Sequence, residues 1–123
     1  MVTVPGFLLR RLYVKKSLKN TDDGFQLQLR NRLGSGYAYK VWPLTVDGDE
    51  VPADDTVFEI DGKTTAFSQV TRELTFSLAM NRTITISAAG VRLGPGPRKI
   101  GMGFDVPGLG TLRFDFTDLV ADE

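Results

Sequence analysis

Carboxylates, tyrosines and lysines are the side chains through which this 123-residue sequence could do acid–base chemistry, because it contains no histidine and no cysteine. Imidazole catalysis, cysteine nucleophiles and zinc–thiolate sites are therefore excluded within the chain. Asp105 and Asp115 stand in two alternating segments on either side of residues 107–110. A hairpin there would bring them to one face, where paired carboxylates can hydrolyse glycosidic bonds. Solvated or arginine-paired carboxylates are the simpler interpretation.

Two acidic stretches resemble fragments of a calcium-binding loop. Residues 47–50 read Asp-Gly-Asp-Glu, and Asp54 and Asp55 follow shortly after. The full D-x-[DN]-x-[DN]-G spacing and the distal bidentate glutamate of such a loop are missing. A hairpin turn and a loop explain both stretches, and we predict no metal site in the chain.

Residues 34–36 (Gly-Ser-Gly) follow Arg30 and Arg32, and this spacing suggests an anion site. Successive backbone N–H groups in such a loop can form a concave nest, to which the two guanidinium groups would add charge. The stretch is not a Walker A motif, because no Gly-Lys-Ser/Thr follows it. We therefore keep Arg30 and Arg32 as candidates for binding a ligand or a partner.

Tyr37, Tyr39 and Trp42 form the densest aromatic cluster of the sequence. In a strand, Tyr37 and Tyr39 would share one face, and Trp42 would point to the other. Aromatic platforms on a sheet can stack on sugars, on flavonoid rings or on the side chains of a partner. Burial of some of these rings in the core is the competing interpretation.

Alternation of apolar and polar residues dominates the chain and predicts the elements that position these side chains. Phe25, Leu27 and Leu29, for example, alternate with glutamines and an arginine, the pattern of a strand with one buried face. Asp-Gly dipeptides and Pro/Gly clusters separate the runs and predict hairpin turns. We predict an all-β fold, an antiparallel β-sandwich of jelly-roll or immunoglobulin-like type with about nine or ten strands. The predicted strands cover residues 8–19, 25–33, 37–46, 49–51, 56–60, 63–67, 74–80, 83–89, 98–106 and 111–117.

A helix remains the alternative for residues 6–19. No linker, repeat or low-complexity segment interrupts the sequence, so a single domain over residues 1–123 is expected. The start of the chain shows no secretion signal and no apolar run of membrane-spanning length, which favours the cytoplasm.

The charges sum to zero, with 15 basic and 15 acidic side chains. This balance argues against nucleic-acid and membrane partners, which favour a basic excess. The charges are nevertheless segregated, since residues 1–40 carry eight basic and two acidic side chains, and residues 41–76 carry the reverse. Such a chain can present a dipolar surface that orients a partner.

Three segments carry a resemblance to a known family: residues 44–52 (Leu-Thr-Val-Asp-Gly-Asp-Glu-Val-Pro), 57–63 (Val-Phe-Glu-Ile-Asp-Gly-Lys) and 90–100. They resemble the small β-subunits of bacterial C-glycoside deglycosidases. The resemblance implies a β-sandwich that pairs with a larger, metal-dependent barrel subunit. That partner would hold the divalent metal and the acid–base residues, and this chain would hold no cofactor and no catalytic residue.

The sequence thus leads to three functional hypotheses. The first is a non-catalytic subunit of a heteromeric carbohydrate-active enzyme resembling C-glycoside deglycosidase. The second is a stand-alone, homo-oligomeric β-sandwich that binds a ligand or has a structural role, for which the three aromatic residues would matter. The third is a small hydrolase that uses Asp105 and Asp115.

Overall fold

Antiparallel β-strands make up most of the chain in the computed structural model, which describes residues 4–121. This confirms the predicted all-β, sandwich-like class. Eleven strands lie in the described part of the chain. They are β1 (Lys19–Asn20), β2 (Gly24–Arg30), β3 (Gly36–Ala38), β4 (Lys40–Val46), β5 (Asp49–Glu50), β6 (Thr56–Ile60), β7 (Lys63–Ala66), β8 (Phe76–Leu78), β9 (Thr83–Ala89), β10 (Pro97–Val106) and β11 (Gly110–Leu119).

The strands form three sheets. A five-stranded sheet has the order β1-β2-β9-β6-β7, a four-stranded sheet has the order β11-β10-β4-β5, and β3 pairs with β8 alone. Phe76 of β8 links the two larger sheets, because its ring centroid lies 4.7 Å from that of Phe58 in β6 and 6.4 Å from that of Phe104 in β10. All three rings are buried. The core therefore lies between the sheets, as the alternating pattern requires.

The expected strand at residues 8–19 is wrong, and the helical alternative holds only for its first part. A short helix, α1, covers Gly6–Leu9, and a 3₁₀ turn over Arg10–Leu12 continues it. Leu9, Leu12 and Tyr13 are all buried, and their spacing of three and four residues puts them on one helical face. The chain becomes extended after this turn, where Tyr13 forms an isolated antiparallel bridge with Leu29.

The predicted strand at 37–46 is divided at Tyr39. The first part, β3, pairs with β8, whereas β4 pairs with β10 and β5. In the β4–β10 ladder, Trp42 lies opposite Gly103 and Thr45 lies opposite Gly101, so β4 carries one extra residue there. This bulge contains Pro43, which has no N–H to donate to the ladder and is tolerated in a strand at such a position.

Candidate functional site

A basic cleft of about 560 Å³ lies beside the N-terminal helical segment. We use the term basic cleft for the space lined by Phe7, Arg10, Arg11, Tyr13, Val14, Lys15, Arg30 and Arg32. Five of these eight residues are cationic, and no carboxylate belongs to the lining that the structure describes. A concave surface lined by one sign of charge raises the local concentration of ligands of the opposite sign.

Backbone pairing brings the two halves of the basic cleft together. The N–H of Val14 donates to the carbonyl of Gln28 at 2.9 Å, next to the bridge between Tyr13 and Leu29. Beyond this bridge, the alternation of β2 continues past the end of the strand. Arg30 and Arg32 are exposed, and Asn31 between them is buried. The two arginines thus face the cleft from one side, and the helical segment bounds it on the other.

Most of the positive charge in the basic cleft has no acidic partner. Arg10 is the exception, because its Nε donates to the carbonyl of Asp115 at 2.7 Å and its Nη2 lies 3.8 Å from the Asp115 carboxylate. Within residues 4–121, no carboxylate lies within 4.0 Å of the other cationic groups of the cleft. Those groups are Arg11, Lys15, Arg30 and Arg32.

Tyr13 lines the basic cleft and attaches it to β11 through its ring and its hydroxyl group. Its ring stacks on Phe116 of β11 with a centroid distance of 3.6 Å, and its hydroxyl donates to Asp118 at 2.8 Å. Burial, and then the hydrogen bond to Asp118, raise the pKa of Tyr13 to about 12. The phenol is therefore neutral at physiological pH and contributes packing instead of acid–base chemistry.

The glycine loop predicted to accompany Arg30 and Arg32 lies elsewhere. The side-chain oxygen of Asn31 accepts the N–H groups of Leu33 at 3.0 Å and Gly34 at 3.3 Å, so these two donors are already engaged. Residues 34–36 line a separate apolar cavity of about 280 Å³. The structure therefore separates the two arginines from the loop and places them with Arg11 and Lys15.

The three aromatic candidates have different surroundings. Tyr37 is exposed on β3, and Tyr39 lies under Arg72, whose guanidinium carbon is 4.1 Å from the ring centroid. Trp42 is contacted by two cations. The Nζ of Lys40 lies 3.8 Å from its ring centroid, and the guanidinium carbon of Arg113 lies 5.0 Å away. Tyr39 and Trp42 are thus covered by different cations and do not form one open platform.

The carboxylates Asp105 and Asp115 lie on neighbouring strands but not opposite each other. Asp115 pairs with Gly101, four residues from Asp105 along β10, which corresponds to about 13 Å of strand. Glycosidase carboxylates are separated by about 5 to 9.5 Å. Burial alone would raise the pKa of Asp105, but hydrogen bonds from Thr111 and from the Trp42 indole lower it below its usual value. Neither the spacing nor the ionisation resembles a general acid with its partner.

A second groove, of about 620 Å³, runs over the outer face of the four-stranded sheet. Gly101 and Gly103 form part of its lining. One of its two lining cations is paired, since Nζ of Lys99 lies 3.9 Å from the Asp115 carboxylate. The other, Arg113, has no carboxylate within 4.0 Å among residues 4–121. At the groove edge, Arg98 lies 3.2 Å from the carboxylate of Asp47. This groove has less uncompensated charge than the basic cleft.

The acidic stretches around residues 47–55 do not converge on a metal site. The carboxylate of Asp47 accepts the backbone N–H of Lys99 at 3.0 Å, and this bond, with help from Arg98, lowers the pKa of Asp47. Over the described residues, no three potential metal-ligating side chains come together. In the same part of the chain, no helix has the length and apolar character needed to cross a membrane.

The family model for the hydroxymethylglutaryl-CoA reductase N-terminal domain matches residues 8–121. The chain belongs to this family. The match includes α1 from Leu8 onward, the extended segment after it and all eleven strands, and so covers almost all of the basic cleft. No curated protein sequence matches the chain.

Membership of the hydroxymethylglutaryl-CoA reductase N-terminal domain family overturns the resemblance to C-glycoside deglycosidase β-subunits, and with it the hypothesis of a carbohydrate-active enzyme. The structure explains the error. Asp47-Gly48 and Asp61-Gly62 are hairpin turns in which all four residues have positive φ, between 50° and 94°. Asp-Gly is favoured at such turns in any antiparallel sheet. Turn geometry therefore explains these Asp-Gly motifs, and the inference of a metal-dependent barrel partner loses its basis.

In this reductase-family domain, the sequence pattern indicated Arg30 and Arg32 but not Phe7, Arg11 and Lys15 as their neighbours in the cleft. One signal was available. Residues 10–16 contain four cations, two at each end of the stretch. Only its bridge to the end of β2 shows that the cations converge.

Proposed function

We propose that this chain is a non-catalytic domain of an enzyme that reduces hydroxymethylglutaryl-CoA, and that it contributes to substrate binding while residues outside this sequence carry out the reduction. The observation that carries the proposal is the match of the reductase N-terminal domain family over residues 8–121. The description of that family names the N-terminal domain of a hydroxymethylglutaryl-CoA reductase, which supports a role beside a separate catalytic part.

The chemistry of the side chains supports a binding role. The sequence has neither histidine nor cysteine, and its carboxylates with shifted pKa values are all more acidic than usual. They are Asp47, Asp105 and Asp118. Each accepts hydrogen bonds from backbone or side-chain donors, which stabilises the ionised form. Carboxylates that remain ionised can orient neighbouring groups but are poor general acids at neutral pH.

Steady-state kinetics test whether this domain contributes to substrate binding while other residues carry out the reduction. The isolated 123-residue chain should not consume hydroxymethylglutaryl-CoA. In a reductase that contains a domain of this family, removal of the domain should raise KM for hydroxymethylglutaryl-CoA and leave a measurable kcat. Turnover by the isolated chain would contradict the proposal, and so would a truncated reductase with unchanged KM and kcat.

The expected homo-oligomer stays a prediction beside this proposal. Native mass spectrometry of the isolated chain measures its oligomeric state directly. The kinetic experiment does not depend on that state, provided that the full-length and truncated enzymes are compared at equal active-site concentration.

A further inference from the structure

We infer that the basic cleft binds the nucleotide end of a coenzyme A thioester, with its phosphate groups on the cleft's cations and its adenine ring against Phe7. The inference rests on the proposed function for its choice of coenzyme A among phosphorylated ligands. The preference for a phosphorylated ligand follows from the cations of the cleft alone.

The charges of the cleft and of such a ligand match. Four cationic side chains, Arg11, Lys15, Arg30 and Arg32, have no carboxylate within 4.0 Å among the described residues. The nucleotide end of coenzyme A carries a diphosphate and a 3′-phosphate, roughly four negative charges at neutral pH, of which the monoester supplies about 1.5 to 2. A polyphosphate would therefore neutralise a cluster of like charges that is otherwise held together without a counter-charge.

The chemical type of the cations also favours phosphate. Three of the four are arginines, whose planar guanidinium groups bind two phosphate oxygens at once. The lysine adds a compact charge on a flexible stem. The arginines stand on both walls of the cleft, Arg11 on the helical turn and Arg30 and Arg32 at the end of β2. A ligand with phosphates at two places could be held from both sides.

Phe7 supplies a surface for the ring. Its side chain is 66% exposed at the edge of the cleft, on α1. An exposed phenyl group beside a row of cations is a suitable place for a nucleobase to stack, since base–aromatic stacking tolerates any base. The cleft volume of about 560 Å³ lies within the usual range of roughly 300 to 1,000 Å³ for small-molecule sites.

Calorimetric titration of the complete 123-residue chain tests the inference with three probes: coenzyme A, dephospho-coenzyme A, which lacks the 3′-phosphate, and inorganic pyrophosphate. We expect coenzyme A to bind most tightly and dephospho-coenzyme A at least tenfold more weakly. Binding should weaken as the salt concentration rises, because exposed charges are screened. Pyrophosphate binding as tightly as coenzyme A would overturn the nucleotide assignment, and failure of coenzyme A to bind would overturn the inference as a whole.

Substitutions separate the contributions of the phosphates and the ring. Arg11→Gln and Arg32→Gln should each weaken coenzyme A and pyrophosphate about tenfold or more, since each removes a bidentate phosphate contact. Phe7→Ala should weaken coenzyme A about tenfold and leave pyrophosphate unchanged. Lys15→Gln has a matched control in Lys63→Gln, because Lys63 is also exposed but lies on β7 and does not line the cleft. Equal effects of these two lysine variants would contradict a defined site.

All the substituted residues are exposed, and thermal unfolding of each variant verifies that it folds. The outcome is independent of the kinetic test of the proposed function. Removal of the domain could raise KM although the isolated chain does not bind coenzyme A, in which case only the further inference fails. Coenzyme A binding without any kinetic effect of the domain would overturn the proposed function alone.

Discussion

The hydroxyl of Tyr13 donates to Oδ2 of Asp118 across 2.8 Å and joins the start of the chain to its last strand. The same hydroxyl oxygen accepts the backbone N–H of Leu18 at 3.1 Å. Asp118 in turn accepts the N–H of Lys16 at 2.8 Å. One phenol group thus organises the turn over residues 13–18 and fixes the floor of the basic cleft on β11.

Tyr13→Phe should lower the free energy of unfolding by about 1 to 3 kcal/mol. It preserves the ring against Phe116 but leaves the buried N–H of Leu18 without its acceptor and removes one of the hydrogen bonds that Asp118 accepts. Urea unfolding followed by fluorescence measures the change. Tyr13→Ala, which also removes the stacked ring, should cost about 3 to 5 kcal/mol. Equal stability of the wild type and Tyr13→Phe would contradict the importance of the hydroxyl.

Tyr13 also predicts a loss of stability in alkaline solution. Its pKa rises from 10.0 to about 12 on folding, first through burial and then through the bond to Asp118. A raised pKa means that the folded state retains the proton more strongly, so its contribution is complete below pH 10 and is lost as the pH rises toward 12. The free energy of unfolding, measured from pH 8 to pH 11, should fall less steeply in Tyr13→Phe. Parallel curves for the two proteins would contradict this linkage.

The lowered pKa of Asp118 predicts a loss of folding stability in acid. Burial opposes its ionisation, but the hydrogen bonds from Lys16 and Tyr13 outweigh burial and lower the pKa below 3.8. A carboxylate whose pKa is lower in the folded state stabilises the fold at pH values above its unfolded-state pKa. This contribution disappears as the pH falls through the folded-state pKa. Asp118→Asn should therefore be less stable than the wild type at pH 7. The difference should narrow below pH 4, and a constant difference would contradict the assignment.

The alternation of apolar residues made much of the fold predictable. Residues 25–29 alternate in the sequence and alternate in burial, because a strand with one buried face has a purely local signature. The division at Tyr39 has no such signature. It depends on which strands pair with β3 and β4, and these partners, β8 and β10, lie about 40 and 60 residues further along the chain.

Only part of the basic cleft could be predicted from the sequence, because only some of its cations follow a local pattern. Arg30 and Arg32 are exposed on either side of a buried residue, a pattern that can be recognised locally. Arg11 and Lys15 join them only through the bridge between Tyr13 and Leu29, sixteen residues apart. The family resemblance drawn from the hairpin motifs was wrong, because such turn motifs are shared by many antiparallel sheets.

Asn31→Ala should destabilise the end of β2 by about 2 kcal/mol, because its buried amide satisfies several backbone groups. The amide nitrogen donates to the carbonyls of Gly34 at 2.6 Å and Leu78 at 2.9 Å, and its oxygen accepts two N–H groups of the following loop. Chemical denaturation measures the loss. Asn31→Asp places a buried carboxylate oxygen against the same two carbonyl oxygens, so it should be at least as destabilised as the alanine variant at neutral pH. A fully stable alanine variant would show that water replaces the amide.

Gly101→Ala should destabilise the four-stranded sheet by about 1 to 3 kcal/mol through overpacking. A Cβ at this position would collide with Oγ1 of Thr45 on β4. Thr45→Ala removes the colliding atom, so the double variant should recover most of the stability lost in Gly101→Ala. A double-mutant cycle of thermal unfolding measures this coupling. Additive losses would show that the glycine is needed for another reason.

The link between Tyr13 and Asp118 spans 105 residues of sequence, and this separation determines when the basic cleft can form during synthesis. A chain emerges from the ribosome from its N-terminus, so α1 and the residues after it are made long before the strand that anchors them. Contacts of such separation form slowly, because the intervening chain must first be ordered. The cleft is therefore completed among the last parts of the molecule, and ribosome-stalled chains that lack β11 should not yet bind the coenzyme A that we propose for it.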